Sequence, residues 1–333
     1  MKDKDGSEVF EKVSCYLCQP INRLAEVTKN LMNIIITKNK IRKDLRKLGL
    51  KRGNWVLMHS SLKSLGYVKR GANTVINAVM EVIGEHGLFM VPSFTFTNFT
   101  PSFDPERTPS QMGLITETLR LREKSIRSWH PRHSVSVLGE KTKEVVSGHL
   151  ETGSVGEGSP IDKLAEQGGY VLLMGVGHTV NTTIHTAEIY AEFPYLHVKD
   201  SPHFPEQAVV KIPDGKKVRV DLAPYPTCSE GFWKLEPVMQ DKEQIQYGKV
   251  GRADCQLMKS QDVIDTASSL LRKDPGALLC DNPHCYSCNQ KKKVIRSALP
   301  IRQEPLEKEV CLNINTKIGR NALQIHDKEI LGK

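Results

Sequence analysis

No stretch of this sequence carries the roughly 20 consecutive apolar residues that a membrane helix needs. The nearest run, Leu31 to Ile36, is short and broken by Asn33. The first residues alternate in charge (Lys2, Asp3, Lys4, Asp5) and lack the apolar stretch of a secretory signal. These absences lead to the expectation of a cytoplasmic protein. Cysteine is too sparse for a disulfide framework, with eight in 333 residues. In a reducing compartment such cysteines are thiols or metal ligands. The two basic runs, Lys38 to Arg52 and Lys291 to Lys293, lack the interleaved aromatic residues of a base-stacking platform. Nucleic acid is therefore not the expected partner, and the net charge of +9 reads as a solvated basic surface or a match to a ligand with several phosphates. What is present, 39% hydrophobic and 26% charged residues, is the composition of a soluble globular chain.

Apolar runs of strand length alternate with helical patterns. Trp55 to Met58, Leu88 to Val91, Ser134 to Leu138 and Tyr170 to Met174 read as buried strands. Helices are expected over Lys40 to Leu50, through Val75 to Ile83, over Leu114 to Leu121 and over Thr182 to Ala191. A further short helix over Pro160 to Glu166 has Ser159 as its cap. Val209 to Val220, with Gly215 at a turn, reads as a hairpin, and Asn98 to Gln111 as a loop. The alternation predicts an α/β layered fold with a largely parallel sheet. The expected division is an N-terminal extension (1–37), a catalytic domain (38–290) and a basic, polar tail (291–333) with no internal repeat.

Ligands of such folds sit where strands end and helices begin, and polar clusters fall at those places. In Asn181-Thr182-Thr183-Ile184-His185-Thr186-Ala187-Glu188, His185 and Glu188 share a helix face. A neutral imidazole can take a proton from an attacking amine, and a nearby carboxylate can fix its tautomer. The plain alternative is a histidine that satisfies a helix start. His59-Ser60-Ser61-Leu62 ends a strand and offers hydroxyls and amides for phosphate or thioester oxygens, or simply an N-cap. Arg127-Ser128-Trp129-His130-Pro131 reads as an anion site or as a surface loop.

Taken in order, several segments resemble the aminoglycoside 3-N-acetyltransferase family over residues 39 to 290. They are His59-Ser60-Ser61-Leu62-Lys63-Ser64-Leu65-Gly66, Val91-Pro92-Ser93-Phe94-Thr95, Phe103-Asp104-Pro105, Met112-Gly113, Arg127 to Pro131, Ser159-Pro160, and Leu172 to Gly177 through Glu188. The resemblance implies an enzyme of three-layer α/β/α fold around a central, largely parallel or mixed sheet, distinct from the GNAT acetyltransferases, that uses acetyl-CoA with no metal in its chemistry. It implies His185 as catalytic base, assisted by Glu188, with His59, Ser60, Ser61, Leu62, Ser64, Arg127 and Ser128 along the CoA channel. The implied acceptor is the 3-amino group of an aminoglycoside or a related amino sugar, attacked in a ternary complex, and a homodimer is compatible with it.

One departure bears on the acceptor. Members of the family commonly carry acidic residues shortly before a phenylalanine that follows the hairpin, whereas Leu222 to Ser229, ahead of Phe232, has none and only Asp221 and Glu230 flank it. That favours an amine of lower charge than an aminoglycoside. Cys280, Cys285 and Cys288, with His284 beside them, have the spacing of a structural zinc site, to which Cys15 and Cys18 could add. Reduced, partly buried thiols are the expectation, with Cys228 and Cys255 as packing residues. Two other function classes stand beside the acetyltransferase. One is a metal-dependent hydrolase built on His185, Glu188 and His130, which lacks the second helical histidine of a zincin. The other is a non-catalytic CoA- or nucleic-acid-binding module, which would have no need of the intact His185 motif.

Overall fold

Strands that are apolar at every position must be covered on both faces, and alternate residues of each strand then enter different cores. The computed structural model describes residues 35–95, 102–212, 215–226 and 228–298, so Cys15, Cys18 and the distal tail lie outside the described residues. The compact unit extends to Arg296. The chain opens with β1 (Ile35–Ile36), α1 (Lys38–Leu48), β2 (Trp55–Ser60), β3 (Tyr67–Val68), α2 (Ala72–Ile83) and β4 (Leu88–Pro92). It continues through β5 (Ser102–Phe103), α3 (Leu114–Arg120), β6 (Ile126–Arg127), β7 (Val135–Gly139), α4 (Thr142–Val146), α5 (Pro160–Glu166) and β8 (Tyr170–Met174). After α6 (Thr183–Tyr190) come the hairpin β9 (Gln207–Lys211) and β10 (Lys217–Asp221), then α7 (Leu235–Asp241), β11 (Gln246–Val250), β12 (Ala253–Lys259), α8 (Ser260–Lys273) and α9 (Tyr286–Ala298).

Seven strands form the central sheet in the order β11-β12-β8-β2-β4-β7-β6. The middle three run parallel, and the flanking pairs are antiparallel, so the sheet is mixed. Val56 and Met58 of β2, Phe89 and Val91 of β4, and Leu172 and Met174 of β8 pack on one face with Ile41, Leu45, Val75 and Val79 of α1 and α2. On the other face Val171 and Leu173 meet Ile184 of α6 and Val263 of α8, while Leu57 and Met90 meet Val145 and Ile161 of α4 and α5. This is the α/β/α sandwich that the resemblance implies.

The expected cap of α5 is present, and α1 has one that was not expected from the sequence. Ser159 accepts a hydrogen bond from Asp162 N at the start of α5, and Thr37 does the same for Lys40 N at α1. Two expectations change. Ser102 and Phe103, read as loop, pair in parallel with Val209 and Val210 of β9, a partner a hundred residues away that local pattern cannot reveal. The boundary expected after residue 290 falls inside α9, where Lys291 is fully buried and donates to Tyr225 O at 2.7 Å. Lys292 donates to Cys280 O, so two of the three lysines of the second basic run serve the fold, while Lys293 is exposed.

The parallel strands β2, β4 and β8 end on one edge, which brings together the turns after Ser60, Pro92 and Met174. Gly175, at φ +71°, closes this edge. A Cβ there would stand 2.4 Å from the Ser64 Cβ, so only glycine lets the two turns meet.

Candidate active site

His185 stands in the first turn of α6, and the chain before it is built to start a helix. Asn181 is buried, its Oδ1 accepts from Thr183 N at 3.2 Å, and its carbonyl accepts from Ile184 N. One turn on, Glu188 places Oε2 2.7 Å from His185 Nδ1. The carboxylate is 0% exposed and the histidine 9%. A carboxylate only accepts, so Nδ1 carries the proton and Nε2, on the opposite side of the ring, is left as a base. The ring is held edge-on against Phe232 at 4.8 Å and beside His133 at 5.4 Å, centroid to centroid.

The surrounding imidazoles are kept neutral. Burial, followed by the neighbouring His178 and His185, pushes the His59 pKa down to about 3. Burial likewise holds His133 and His130 well below the ordinary histidine value and His149 at about 4. Among the described residues, His185 is the one buried histidine hydrogen-bonded to a carboxylate.

A cleft of about 540 Å³ opens in front of this ring, with His59, Ser60, Thr95, Arg132 and Asp200 on its walls. Four buried polar atoms of these walls have no hydrogen-bond partner among the described residues: His59 Nε2, Ser60 Oγ, Thr95 Oγ1 and Arg132 Nη1. Buried polar groups are nearly always paired, so their convergence on one cavity marks a place for a polar ligand. Arg132 Nη2 donates to Asp200 Oδ2 at 2.5 Å while its guanidinium lies 4.8 Å from the Phe204 ring centroid. Glu230 adds a second carboxylate to the lining. A second cavity of about 750 Å³ carries Ser64, Gly177, Lys249 and Arg252, and shares Val176 with the first.

The structure therefore gathers His185, Glu188, His59 and Ser60 at one site and Ser64 at the adjoining cavity. Ser61 and Leu62 do not line the cleft. The Ser61 amide donates to Met174 O, its hydroxyl lies 3.0 Å from Ser64 Oγ, and Leu62 packs on the core. Arg127 and Ser128 are also placed elsewhere than the resemblance implies. Arg127 is buried and donates to Ser134 Oγ and to the carbonyls of Thr108 and Ser93. Ser128 accepts from Val135 N and faces His149. The partners lie between seven and 34 residues away in the chain, and they turn a motif with the look of an anion site into a brace beneath the strand ends. His130 accepts from Arg132 N behind the cleft wall, so the three ligands of a metal-dependent hydrolase are not brought together. Arg132 and Asp200 carry no periodicity or spacing that would have marked them, and Phe232 was marked only as the phenylalanine that follows the hairpin.

The cysteine expectations also change. Cys228 is not an isolated packing residue: its sulfur joins those of Cys280, Cys285 and Cys288, all within 4.8 Å of one another. Cys228 and Cys285 face the cleft. His284 is exposed and outside the group, and Cys255 is buried in β12.

Residues 57–272 match the sequence model of the aminoglycoside 3-N-acetyltransferase family. The chain is 32% identical to aminoglycoside N(3)-acetyltransferase IV of Salmonella sp over 233 residues, covering 69% of this chain and 85% of that one. It is 30% identical to the SPbeta prophage-derived aminoglycoside N(3')-acetyltransferase-like protein YokD of Bacillus subtilis (strain 168), covering 69% of this chain and 90% of the other. The crystal structure of a histidine-to-alanine variant of aminoglycoside acetyltransferase AAC(3)-IVa in complex with a gentamicin superposes with a TM-score of 0.69 at 30% identity, covering 78% of this chain and 97% of that chain.

Proposed function

The chain belongs to the aminoglycoside 3-N-acetyltransferase family, and from that membership we propose that it moves the acetyl group of acetyl-CoA onto the 3-amino group of an aminoglycoside, with His185 as general base. The single observation that carries the residue assignment is the buried His185–Glu188 pair, 2.7 Å apart, facing a cleft of unsatisfied polar atoms. An amine attacks only when neutral, and His185 Nε2 removes its proton as the nitrogen reaches the thioester carbon. Glu188 holds the ring and offsets the charge of the imidazolium that forms. The C–N bond forms, the tetrahedral oxyanion collapses, the C–S bond breaks, and CoA leaves as its thiol with the proton from the imidazolium. Ser60 Oγ is the donor suited to the oxyanion, since it is buried in the cleft and otherwise unbonded.

The cavity with Ser64, Lys249 and Arg252 suits the body of CoA, Arg252 offering a cation for its phosphates and Lys249 a second once it leaves its exposed ion pair with Asp254, and Val176 joins it to the His185 cleft. The acceptor then takes the side with Asp200 and Glu230. Asp200 was not visible as a substitute for the missing acidic run before Phe232. Glu230 restores part of the attraction for a polycation that the departure removes, while the charge of Asp200 is offset by its ion pair with Arg132. A cytoplasmic setting belongs to this reading, because cysteines that stay reduced need a reducing compartment.

The test is consumption of the acetyl-CoA thioester, followed by its own absorbance so that no thiol reagent touches the cysteines. Gentamicin, apramycin and simple amino sugars serve as acceptors, with mass spectrometry of the product. Acceptor-dependent consumption and an acetylated aminoglycoside are expected. Thioester loss no faster with any aminoglycoside than without one would overturn the assignment.

A further inference from the structure

We propose that Cys228, Cys280, Cys285 and Cys288 bind one structural zinc ion in the wall of the acceptor cleft. Four sulfurs from separated stretches of chain converge within 4.8 Å of one another, and those of Cys228 and Cys288 are 3.6 Å apart. A tetrahedron with zinc–sulfur bonds of about 2.3 Å has edges of about 3.8 Å, which this arrangement approaches. A disulfide needs a sulfur separation of about 2.05 Å, and an iron–sulfur cluster sets its thiolates on different irons and so spreads them further. An all-sulfur tetrahedron is the preference of zinc among the common divalent ions.

The surroundings suit a negatively charged thiolate shell. The amide of Cys280 points at Cys288 Sγ, 3.4 Å away, the kind of donor that supports a metal-bound sulfur. Lys291, on the same helix as Cys288, is fully buried and donates to the Tyr225 carbonyl. Four thiolates around a dication carry a net charge of −2, which favours a buried ammonium nearby. Gly231 allows the approach: a Cβ there would stand 2.3 Å from Leu278 O, on the strand of chain that leads to Cys280.

Four protein ligands close the coordination shell, so the ion has no open position for chemistry. Its effect is on shape. Cys228 and Cys285 line the cleft, and from Cys228 the chain runs through Ser229 and Glu230 to Phe232, which packs on His185. The ion thus ties the start of α9 to the wall that carries Glu230 and supports the base.

Metal content of the full-length protein, purified without chelator or added metal, tests this independently of any acetyl transfer. About one zinc per chain is expected, released when the thiols are alkylated. Cobalt exchange should give the intense thiolate-to-metal bands of a tetrahedral sulfur site. Cys285→Ser should lose the zinc, and Cys255→Ser should keep it. Free, readily alkylated thiols without metal, bound iron in place of zinc, or disulfides within the group would each overturn the proposal. If Cys285→Ser does not fold, the zinc content and cobalt spectrum of the native chain decide alone.

Discussion

Glu188 touches no reacting atom in this account and acts through the tautomer of His185. With the carboxylate in place the proton sits on Nδ1; an amide can present its NH2 to Nδ1 instead and move the proton to the wrong nitrogen. Glu188→Gln should therefore lower kcat by roughly 10²- to 10⁴-fold and leave KM for acetyl-CoA nearly unchanged. A purely structural role would show as a loss of melting temperature without that kinetic split. Arg127 gives the opposite pattern. Its guanidinium is committed to Ser93 O, Thr108 O and Ser134 Oγ, so Arg127→Met should cost about 1–3 kcal/mol for each buried acceptor left unpaired. Thermal or urea unfolding reads that loss, and a rise in KM for acetyl-CoA with stability intact would restore Arg127 to the CoA site. His185, His59 and Ser60 were legible because the motif and the site coincide at strand ends. Arg127 was not, because what decides its role is three partners that sequence spacing does not place beside it.

At the scale of elements, the start of α6 is the part on which the chemistry depends. Asn181 provides both the side-chain cap and the carbonyl that begins the helix, and His185 lies within the first turn. Asn181→Ala should cost about 0.5–2 kcal/mol of stability and lower kcat as well, because a frayed turn no longer presents the ring to the cleft. Denaturant midpoints and kcat measured together check this; lost stability with full kcat would separate the cap from the catalyst. The central strands were legible because burial on both faces leaves an uninterrupted apolar run. The β5–β9 pairing and the reach of α9 past residue 290 were not, since a two-residue strand has no period and Lys291 reads as exposed until its partner Tyr225 O is known.

For the whole molecule, buried neutral histidines set the acid limit. His59 and His149 have folded pKa values of about 3 and about 4, against 6.5 for an unburied side chain, and His130, His133 and His178 are lowered in the same sense. Between the two values the unfolded chain binds protons that the folded chain refuses, so unfolding takes up protons and stability rises with pH. Stability should be full above about pH 6.5 and should fall progressively as the pH drops from there toward 4. Melting temperatures across that range test it, and a flat profile would contradict the burial of these rings. The overall charge of +9 was no guide to the cleft, where Asp200 and Glu230 are brought in from separate segments.

The central claim, that His185 takes the proton of the attacking amine, is tested most directly by the kcat of His185→Ala alongside calorimetric binding of CoA. The expected result is a fall of about 10²- to 10⁴-fold in kcat with CoA affinity retained. Turnover equal to that of the unaltered enzyme would contradict it.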